Sequence, residues 1–157
     1  MTINNIINYR VKSLEYNSEL KLLEKFMLNQ PQWYPNFKEW VDGKCIPRIY
    51  SEEYVPFLLF DKKDLVGDLV YRHLDKRIIE LKNFRIDKNY HNQYWGKVLL
   101  KQLEIIANKE GFEKIITDVS LNNHLAIDFF IRNGFEIKKI EELYLKGQKE
   151  AIIEKTI

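Results

Sequence analysis

The stretch of sequence that decides the fold is IDKNYHNQYWGKVLL, residues 86–100. It follows an apolar strand pattern over residues 77–86 and leads into a helix that begins at Gly96 and that Gly111 is placed to end. A strand that leads into the amino end of a helix presents unpaired backbone N–H groups and the positive end of the helix dipole. We therefore expect an anion site at Gly96, and a phosphorylated molecule is the first ligand to consider.

The segments on either side of this stretch predict a mixed sheet. Apolar-rich strands over residues 54–60, 65–71 and 77–86 are separated by short polar turns, which predicts an antiparallel meander. The helix then separates the last of these strands from a strand at 114–120. These two strands should therefore be parallel neighbours joined by a right-handed crossover.

The remaining segments predict further helices and strands at both ends of the chain. Asn123 is positioned to cap a helix that Gly134 closes. A turn at 146–148 should then join strands at 137–145 and 151–156 into a hairpin.

The amino-terminal part is interpreted as one strand and two helical segments. Residues 9–14 alternate as a strand, and Ser18 is positioned to cap the helix that follows. A second helical segment at 36–41 should end at Gly43, with Pro47 in the connection after it.

Together these segments predict a single domain, residues 1–157, of the α/β (α+β) class. Its sheet should be mixed and mostly antiparallel, with about seven strands, one parallel pair around a central helix, and about four helices.

Composition narrows the class of protein. Lys and Arg total 25 against 23 for Asp and Glu, and the formal net charge of +2 argues against a nucleic-acid partner. The sequence contains no uninterrupted run of about 18 apolar residues, so no membrane span is predicted. Cys45 is the lone cysteine and is expected to be buried, which fits a cytoplasmic protein. The histidines lack the spacing of metal ligands, so no metal is predicted.

Two motifs carry a resemblance to a known family. Residues 86–100 resemble motif A of the GNAT superfamily, the acyl-CoA-dependent N-acetyltransferases. NHLAIDFFIRNGF, residues 123–135, resembles the family's motif B. The resemblance extends over most of the chain from Tyr54 onward. It implies a GNAT-like fold and acetyl-CoA as co-substrate.

In that family the backbone amides of the loop before the helix hold the cofactor pyrophosphate. The six matching positions in this chain are His91, Asn92, Gln93, Tyr94, Trp95 and Gly96. Gly96 keeps the family's glycine, whereas His91 replaces the usual Arg or Gln and Tyr94 replaces the first glycine. If Tyr94 is left-handed, it carries about 1–2 kcal/mol of strain.

The side chains around this loop leave alternatives open. His91 and Lys97 either help to bind phosphate or are exposed residues without that role. Trp95 either packs on the cofactor or anchors the start of the helix in the core.

The resemblance also places residues along the pantetheine arm of the cofactor. Backbone pairing with that arm is implied at Phe84, Arg85 and Ile86. Asn123 is positioned to bond to pantetheine, to cap its helix, or both. Phe130 stands where the family often has a tyrosine that returns a proton to the CoA sulfur, and water or a hydroxyl such as Tyr144 could substitute for it.

Amine acylation requires removal of a proton, because an alkyl amine is almost fully protonated at neutral pH. Glu80 lies in the strand before the loop, where some GNAT enzymes place their general base. Strict alternation would put Lys82, Phe84 and Ile86 on the same face of that strand as Glu80. Partial burial would raise the Glu80 pKa toward a useful range. The alternative is a surface glutamate paired with Lys82 or Arg77.

An aromatic group lies in the amino-terminal region where GNAT proteins bind their acceptors. Its members are Phe26, Trp33, Tyr34, Phe37 and Trp40. Core packing is the preferred interpretation of these rings, and a flat or apolar acceptor is the alternative.

The sequence therefore predicts an N-acetyltransferase that moves an acetyl group from acetyl-CoA to a primary amine by direct attack in a ternary complex. The acceptor is a small molecule or a peptide, and its identity stays open. Oligomeric state is also open, with a dimer allowed. The alternative is a GNAT fold that has lost turnover and serves as a CoA sensor or protein-interaction module, suggested by Tyr94 and Phe130.

Overall fold

The computed structural model describes residues 9–14, 17–91 and 94–157, with the backbone alone at 9–11. The strands form one seven-stranded sheet in the order β1-β2-β3-β4-β5-β7-β6, in which β4 and β5 are the parallel pair and the other neighbours are antiparallel. The strands are β1 (Tyr9–Ser13), β2 (Val55–Asp61), β3 (Asp64–His73), β4 (Ile78–Ile86), β5 (Lys114–Ser120), β6 (Glu136–Glu141) and β7 (Glu150–Thr156). The predicted fold class is confirmed.

Helices cover both faces of this sheet. They are α1 (Asn17–Leu28), α2 (Phe37–Trp40), α3 (Ile46–Tyr50), α4 (Trp95–Lys109) and α5 (His124–Arg132), with a π-helical segment at Val41–Cys45 and a 3-10 turn at Lys88–Tyr90. One core cluster packs α4 and α5 on the sheet, and a second packs α1, α2 and α3 on the opposite face. Alternation along β2 explains the division, because Phe57 and Leu59 join the first cluster while Leu58 and Phe60 join the second.

The helix after the aromatic segment is longer than predicted. The helical run continues through Gly43 and includes Pro47, since α2, the π-helical segment and α3 follow one another without a break. Pro47 directly follows the π-helical segment, where the Ile46 N–H donates to the Val41 carbonyl oxygen and the regular α-helical hydrogen-bond pattern is already interrupted. Burial of Val41, Cys45 and Ile49 at helical spacing favours continuing the helix.

The carboxy-terminal hairpin is shorter than predicted. Strand β6 ends at Glu141, and Leu143 donates its backbone N–H to Oε1 of Glu150 at 3.2 Å instead of to the strand opposite. The loop that follows reaches back over the sheet, where Nε2 of Gln148 donates to the carbonyl oxygen of Trp33 at 2.8 Å. The predicted turn residue Gly147 does adopt a positive φ of 90°.

Most of the other predicted helix ends agree with the structure, but Ser18, the predicted cap of the first helix, lies inside α1, which begins at Asn17. Gly111 and Gly134 have φ values of 83° and 91° where their helices end, and Oδ1 of Asn123 caps α5 by accepting the N–H of Ala126 at 3.2 Å. Cys45 is fully buried, as expected, and burial raises the pKa of its thiol. Among the described residues, no helix is both long and apolar enough to span a bilayer.

Candidate active site

The site begins where the parallel strands part. Strands β4 and β5 pair over three residue positions only, the last of them Glu80 opposite Ile116. Beyond that point the hydroxyl of Thr117 donates to the carbonyl oxygen of Leu81 at 2.9 Å, and the two strands diverge. A cleft therefore opens inside the sheet, between the second half of β4 and the second half of β5.

Two cavities meet in this cleft. One cavity lies toward α5 and the other toward α2, and both are open to solvent. They share the lining residues Tyr34, Leu81, Lys82, Asn83, Arg85, Thr117 and Asp118. A molecule entering from the α5 side can thus meet one entering from the α2 side.

The part of the lining that belongs to the α5 side alone is mostly apolar. Phe84 packs against both of the adjacent phenylalanines of α5, with its ring centroid 5.4 Å from that of Phe129 and 5.7 Å from that of Phe130. Phe130 is 4% exposed, belongs to the core cluster and also lines the cleft. Its predicted place in the core is confirmed, and it has no hydroxyl to donate. Asn123 lines the same side while it caps α5.

Helix α4 begins beside this side of the cleft with a strained residue. Tyr94 has φ 64° and ψ 0°, the left-handed conformation, and no side-chain cap hydrogen bond forms there. The backbone strain that the sequence analysis predicts for a left-handed Tyr94 therefore applies. The first-turn amides have no acidic side chain competing for them, since α4 carries none in its first turn. Asn92 and Gln93, two of the predicted loop residues, lie outside the described residues.

Gly96 serves helix packing. A Cβ built at Gly96 would lie 3.1 Å from Cε2 of Phe129, closer than nearly all real contacts of this kind. The glycine that the family motif keeps therefore allows α4 and α5 to approach each other in this chain.

Among the other loop residues, His91 and Lys97 are exposed and Trp95 is buried. His91 is exposed, and its Nε2 lies 2.7 Å from the carbonyl oxygen of Ile86, so that nitrogen carries the hydrogen and donates it there. Lys97 is exposed at the start of α4. Trp95 is 1% exposed and packs edge-on against Tyr90 at 5.2 Å. Its side chain therefore anchors the helix in the core, and only its backbone can reach a ligand.

A bulge in β4 corrects the predicted face of that strand. Val70 of β3 pairs with Asn83 while Tyr71 pairs with Leu81, so Lys82 is an extra residue without a partner of its own. The bulge shifts the alternation by one residue. As a result Phe84 and Ile86 pack in the α4 and α5 cluster, on the face opposite Glu80, and the strict alternation expected from the sequence is wrong.

The same bulge places Asn83 and Arg85 on the α2 side. Nδ2 of Asn83 donates to Oδ2 of the fully buried Asp68 at 2.7 Å, and Nε of Arg85 lies 3.4 Å from Oδ1 of Asn83. Burial raises the pKa of Asp68 to about 7, against the opposing effects of the Asn83 hydrogen bond and the Arg85 charge. Oδ1 of Asp68 is one of two fully buried side-chain atoms without a hydrogen-bond partner among the described residues.

Asp118 is the carboxylate that lines the cleft. Tyr144 donates its hydroxyl hydrogen to Oδ2 of Asp118 at 3.0 Å, and Tyr34 donates to the Asp118 carbonyl oxygen at 3.1 Å. The two tyrosine rings meet edge to face at 5.1 Å. Burial raises the pKa of Asp118, although the Tyr144 hydrogen bond and the Lys82 charge oppose it. A raised carboxyl pKa is the property expected of a proton acceptor near neutral pH.

Glu80 lies at the last paired position of β4 and β5 but does not line either cavity. Its Oε2 accepts from Nε of Arg72 at 2.5 Å and its Oε1 from Nζ of Lys82 at 3.0 Å. Burial alone would raise the pKa of Glu80, but the hydrogen bonds and charges of Lys82 and Arg72 outweigh it and hold the pKa below its ordinary value. The predicted rise of this pKa is therefore wrong.

The aromatic group from the amino-terminal region forms most of a wall of the cleft. Trp33 lines the α5 side, Phe37 and Trp40 line the α2 side, and Tyr34 lines both. Phe37 and Trp40 stack with centroids 5.8 Å apart, whereas Phe26 is a core residue. The preferred core interpretation therefore holds for Phe26 and, in part, for the buried Phe37.

Sequence reasoning missed Asp68 and Asp118 as site residues. Both are acids inside otherwise apolar strands, within LVGDLV and KIITDVS. Aspartate is depleted in strands, so an acid at such a position is the signal that could have found them. No group of acidic, histidine and cysteine side chains among the described residues is arranged to hold a metal ion.

Comparison with known proteins agrees with this geometry. The sequence profile of the acetyltransferase (GNAT) family matches residues 15–135. No curated protein sequence gives a significant match.

Three solved acetyltransferase structures have folds similar to that of this chain. The PaiA N-acetyltransferase from Thermoplasma acidophilum, solved in complex with coenzyme A, superposes with a TM-score of 0.74 at 20% identity, covering 96% of this chain and 100% of that one. The ribosomal-protein-S18-alanine N-acetyltransferase from Escherichia coli gives a TM-score of 0.75 at 20% identity, with 95% and 94% covered. The spermidine N-acetyltransferase from Vibrio cholerae gives 0.73 at 16% identity, with 95% and 94% covered. The profile match, together with the diverging parallel strands and the two motifs, establishes that this chain belongs to the acetyltransferase (GNAT) family.

Proposed function

We propose that the protein is an N-acetyltransferase that transfers an acetyl group from acetyl-CoA to a primary amine by direct attack in a ternary complex. The observation that carries this proposal is the meeting of two cavities at the divergence of β4 and β5. Direct transfer needs donor and acceptor in contact at one point, and the shared lining provides that point.

The residues on the α5 side fit an acyl-CoA. Beyond Glu80, strand β4 is not paired with β5, which leaves its backbone edge facing the cleft for an extended amide-containing arm. The first turn of α4 supplies backbone N–H groups suited to a pyrophosphate, with exposed Lys97 beside them. When bound, acetyl-CoA supplies an activated thioester whose carbonyl carbon a neutral amine can attack with release of the CoA thiol.

The proposed proton acceptor is Asp118. Its carboxylate lines the region common to both cavities, and its Oδ2 is held by Tyr144. Because burial raises its pKa, Asp118 is a stronger base than an exposed aspartate, and it can take the proton of an incoming ammonium group. Phe130 offers no proton, so departure of the CoA sulfur relies on the low pKa of the thiol itself, near 8.5.

The role of Glu80 as a general base stays a prediction. In this arrangement its two cationic partners favour a permanent carboxylate that orders Arg72 and Lys82. A role for Glu80 in proton transfer would therefore run through water or through Lys82, whose side chain lines the cleft.

The proposal is tested by measuring released CoA thiol with a panel of amines, alongside calorimetry with acetyl-CoA. We expect acetyl-CoA binding without any amine, and thiol release that depends on both acetyl-CoA and an amine. Binding without turnover on any amine would instead favour the CoA-sensing alternative, which Tyr94 and Phe130 suggest. Absence of binding would reject both.

A further inference from the structure

The guanidinium of Arg85 is a cation held rigidly in the wall of the cleft. Its Nη1 donates to the carbonyl oxygen of Pro31, its Nε approaches Oδ1 of Asn83, and the Phe37 ring covers it with 4.8 Å between Cζ and the ring centroid. Its Nη2 donors have no partner among the described residues and are not fully buried. A fixed guanidinium with free donors is prepared to bind a planar anion.

The charge of Arg85 is only partly compensated. The nearby carboxylate is Asp68, which reaches Arg85 through the amide of Asn83 and does not contact it directly. Burial raises the Asp68 pKa to about 7, so this carboxyl is only partly ionised at neutral pH. The neighbouring cation Lys82 shares the single carboxylate of Glu80 with Arg72, so this group supplies no negative charge to compensate Arg85. Arg85 therefore keeps a positive potential in the cleft.

The α2 side also offers a partner for an ammonium group and a surface for an apolar group. Asp118 lines it as a carboxylate, and Pro35, Phe37 and Trp40 line it as an apolar wall. A ligand that matches all three features has an amine, an anionic group and an apolar or aromatic part.

We infer that the acceptor is a free amino acid with an apolar or aromatic side chain, whose carboxylate is bound by Arg85 while its amine lies at Asp118. This inference rests on the proposed N-acetyltransferase function and specifies its substrate class. A polyamine fits the same cleft poorly, since its second ammonium group would meet Arg85 instead of a carboxylate.

The test compares acceptors that differ only near the carboxylate. L-phenylalanine is measured against L-phenylalaninamide, whose amine is less basic, and phenethylamine, whose amine is more basic, with spermidine as a polyamine. A preference for phenylalanine over both analogues cannot arise from amine basicity. We expect its kcat/KM to exceed theirs by about 10- to 100-fold, the size of a hydrogen-bonded charge pair.

Variants of Arg85 assign the preference to this residue. In Arg85→Met, which keeps an apolar stem against Phe37, the ratio of kcat/KM for phenylalanine to that for phenylalaninamide should fall to near one. Arg85→Lys should retain part of the preference, because lysine keeps the positive charge but lacks the paired N–H donors of the guanidinium. Arg77→Met removes a guanidinium that is 74% exposed and pairs with Glu113 outside the cleft, so it should leave the ratio unchanged.

The outcomes separate the two proposals. Acetylation of amines with no preference for phenylalanine, or a preference that survives in Arg85→Met, would overturn this inference and leave the proposed function standing. Binding of acetyl-CoA without turnover on any amine would overturn the proposed function and this inference with it. If Arg85→Met does not fold, as judged by circular dichroism, the wild-type ratios and Arg85→Lys decide.

Discussion

The lining that belongs to the α5 side alone is mostly apolar and includes Phe84 and Phe130, whereas Arg85 and Asp118 line the region that both sides share, with the buried Asp68 behind them. The first side resembles a core that has been opened, and its residues act mainly by packing. The shared region holds partly buried charges whose energies depend on pH and on each other. Substitutions in the shared region should therefore change rate and pH dependence, and those on the α5 side alone should change stability.

The largest expected effect is that of Asp118→Asn. Loss of the proton acceptor should lower kcat/KM by about 100- to 10,000-fold, while acetyl-CoA affinity measured by calorimetry stays the same. In the wild type, kcat/KM should rise with pH through a pKa above that of an ordinary aspartate, because the carboxylate form is the active one. That limb of the pH profile should be absent in the variant.

Glu80→Gln is the matched comparison on the neighbouring strand. It also removes one carboxylate charge on this face of the sheet, but from a residue that does not line either cavity. A smaller loss of rate than in Asp118→Asn, with the pH limb retained, is the expected result. If Glu80→Gln loses more activity than Asp118→Asn, the roles are the reverse of those proposed.

The next effect is a pH-dependent stability caused by Asp68. Its folded-state pKa of about 7 lies above the ordinary value of 3.8, so folding favours the protonated form. The stabilisation is complete below about pH 4 and is lost as pH rises through about 7, a change on the order of 4 kcal/mol. Asp68→Asn should not lose it. Urea unfolding of both proteins at pH 5 and pH 8 measures the difference, and parallel pH dependence would contradict the prediction.

Substitution of Gly96 tests packing on the α5 side. In Gly96→Ala the new methyl group meets the Phe129 ring at 3.1 Å, and we expect a loss of about 1–2 kcal/mol in the free energy of unfolding. Gly43→Ala is the matched control, because nothing lies within 4 Å of its Cβ position in a helical segment. The free energy of unfolding of Gly43→Ala should rise by up to about 1 kcal/mol. A similar rise in Gly96→Ala would show that the Phe129 ring moves aside freely.

The smallest effect concerns the left-handed residue at the start of α4. Tyr94→Gly removes the strain of a φ of 64° from a side chain that is 61% exposed and packs little. The entropy of the unfolded glycine offsets part of this gain, so stabilisation should be no more than about 1 kcal/mol. Tyr94→Ala, which keeps the strain, should not be stabilised. Equal effects in the two variants would contradict the role of φ.

Much of the fold is predictable because it depends on local signals. Gly111, Gly134 and Asn123 mark helix ends through backbone conformation and capping, which act over a few residues. The bulge at Lys82 has no such signal, since a lysine in an apolar strand looks like ordinary alternation. The continuation of the helix past Gly43 depends on burial of residues that packing decides.

The sequence motifs predict residues on the α5 side of the candidate site but do not bring its charged residues together. Phe130 and Gly96 belong to motifs that are contiguous in sequence, whereas Asp68, Arg85 and Asp118 come together through three different strands. The pKa of Glu80 depends on Arg72, which lies directly opposite on β3 because the bulge begins beyond that pair. A single strand pattern does not contain that information.

The three residue pairs between β4 and β5 also bear on how the molecule holds together. They make the sheet two half-sheets with few hydrogen bonds between them. The cluster beneath α4 contains residues of both halves, among them Leu81 and Val119, so cooperative unfolding should depend on side-chain packing more than on strand pairing. A ligand that fills the gap would couple the halves by a second route.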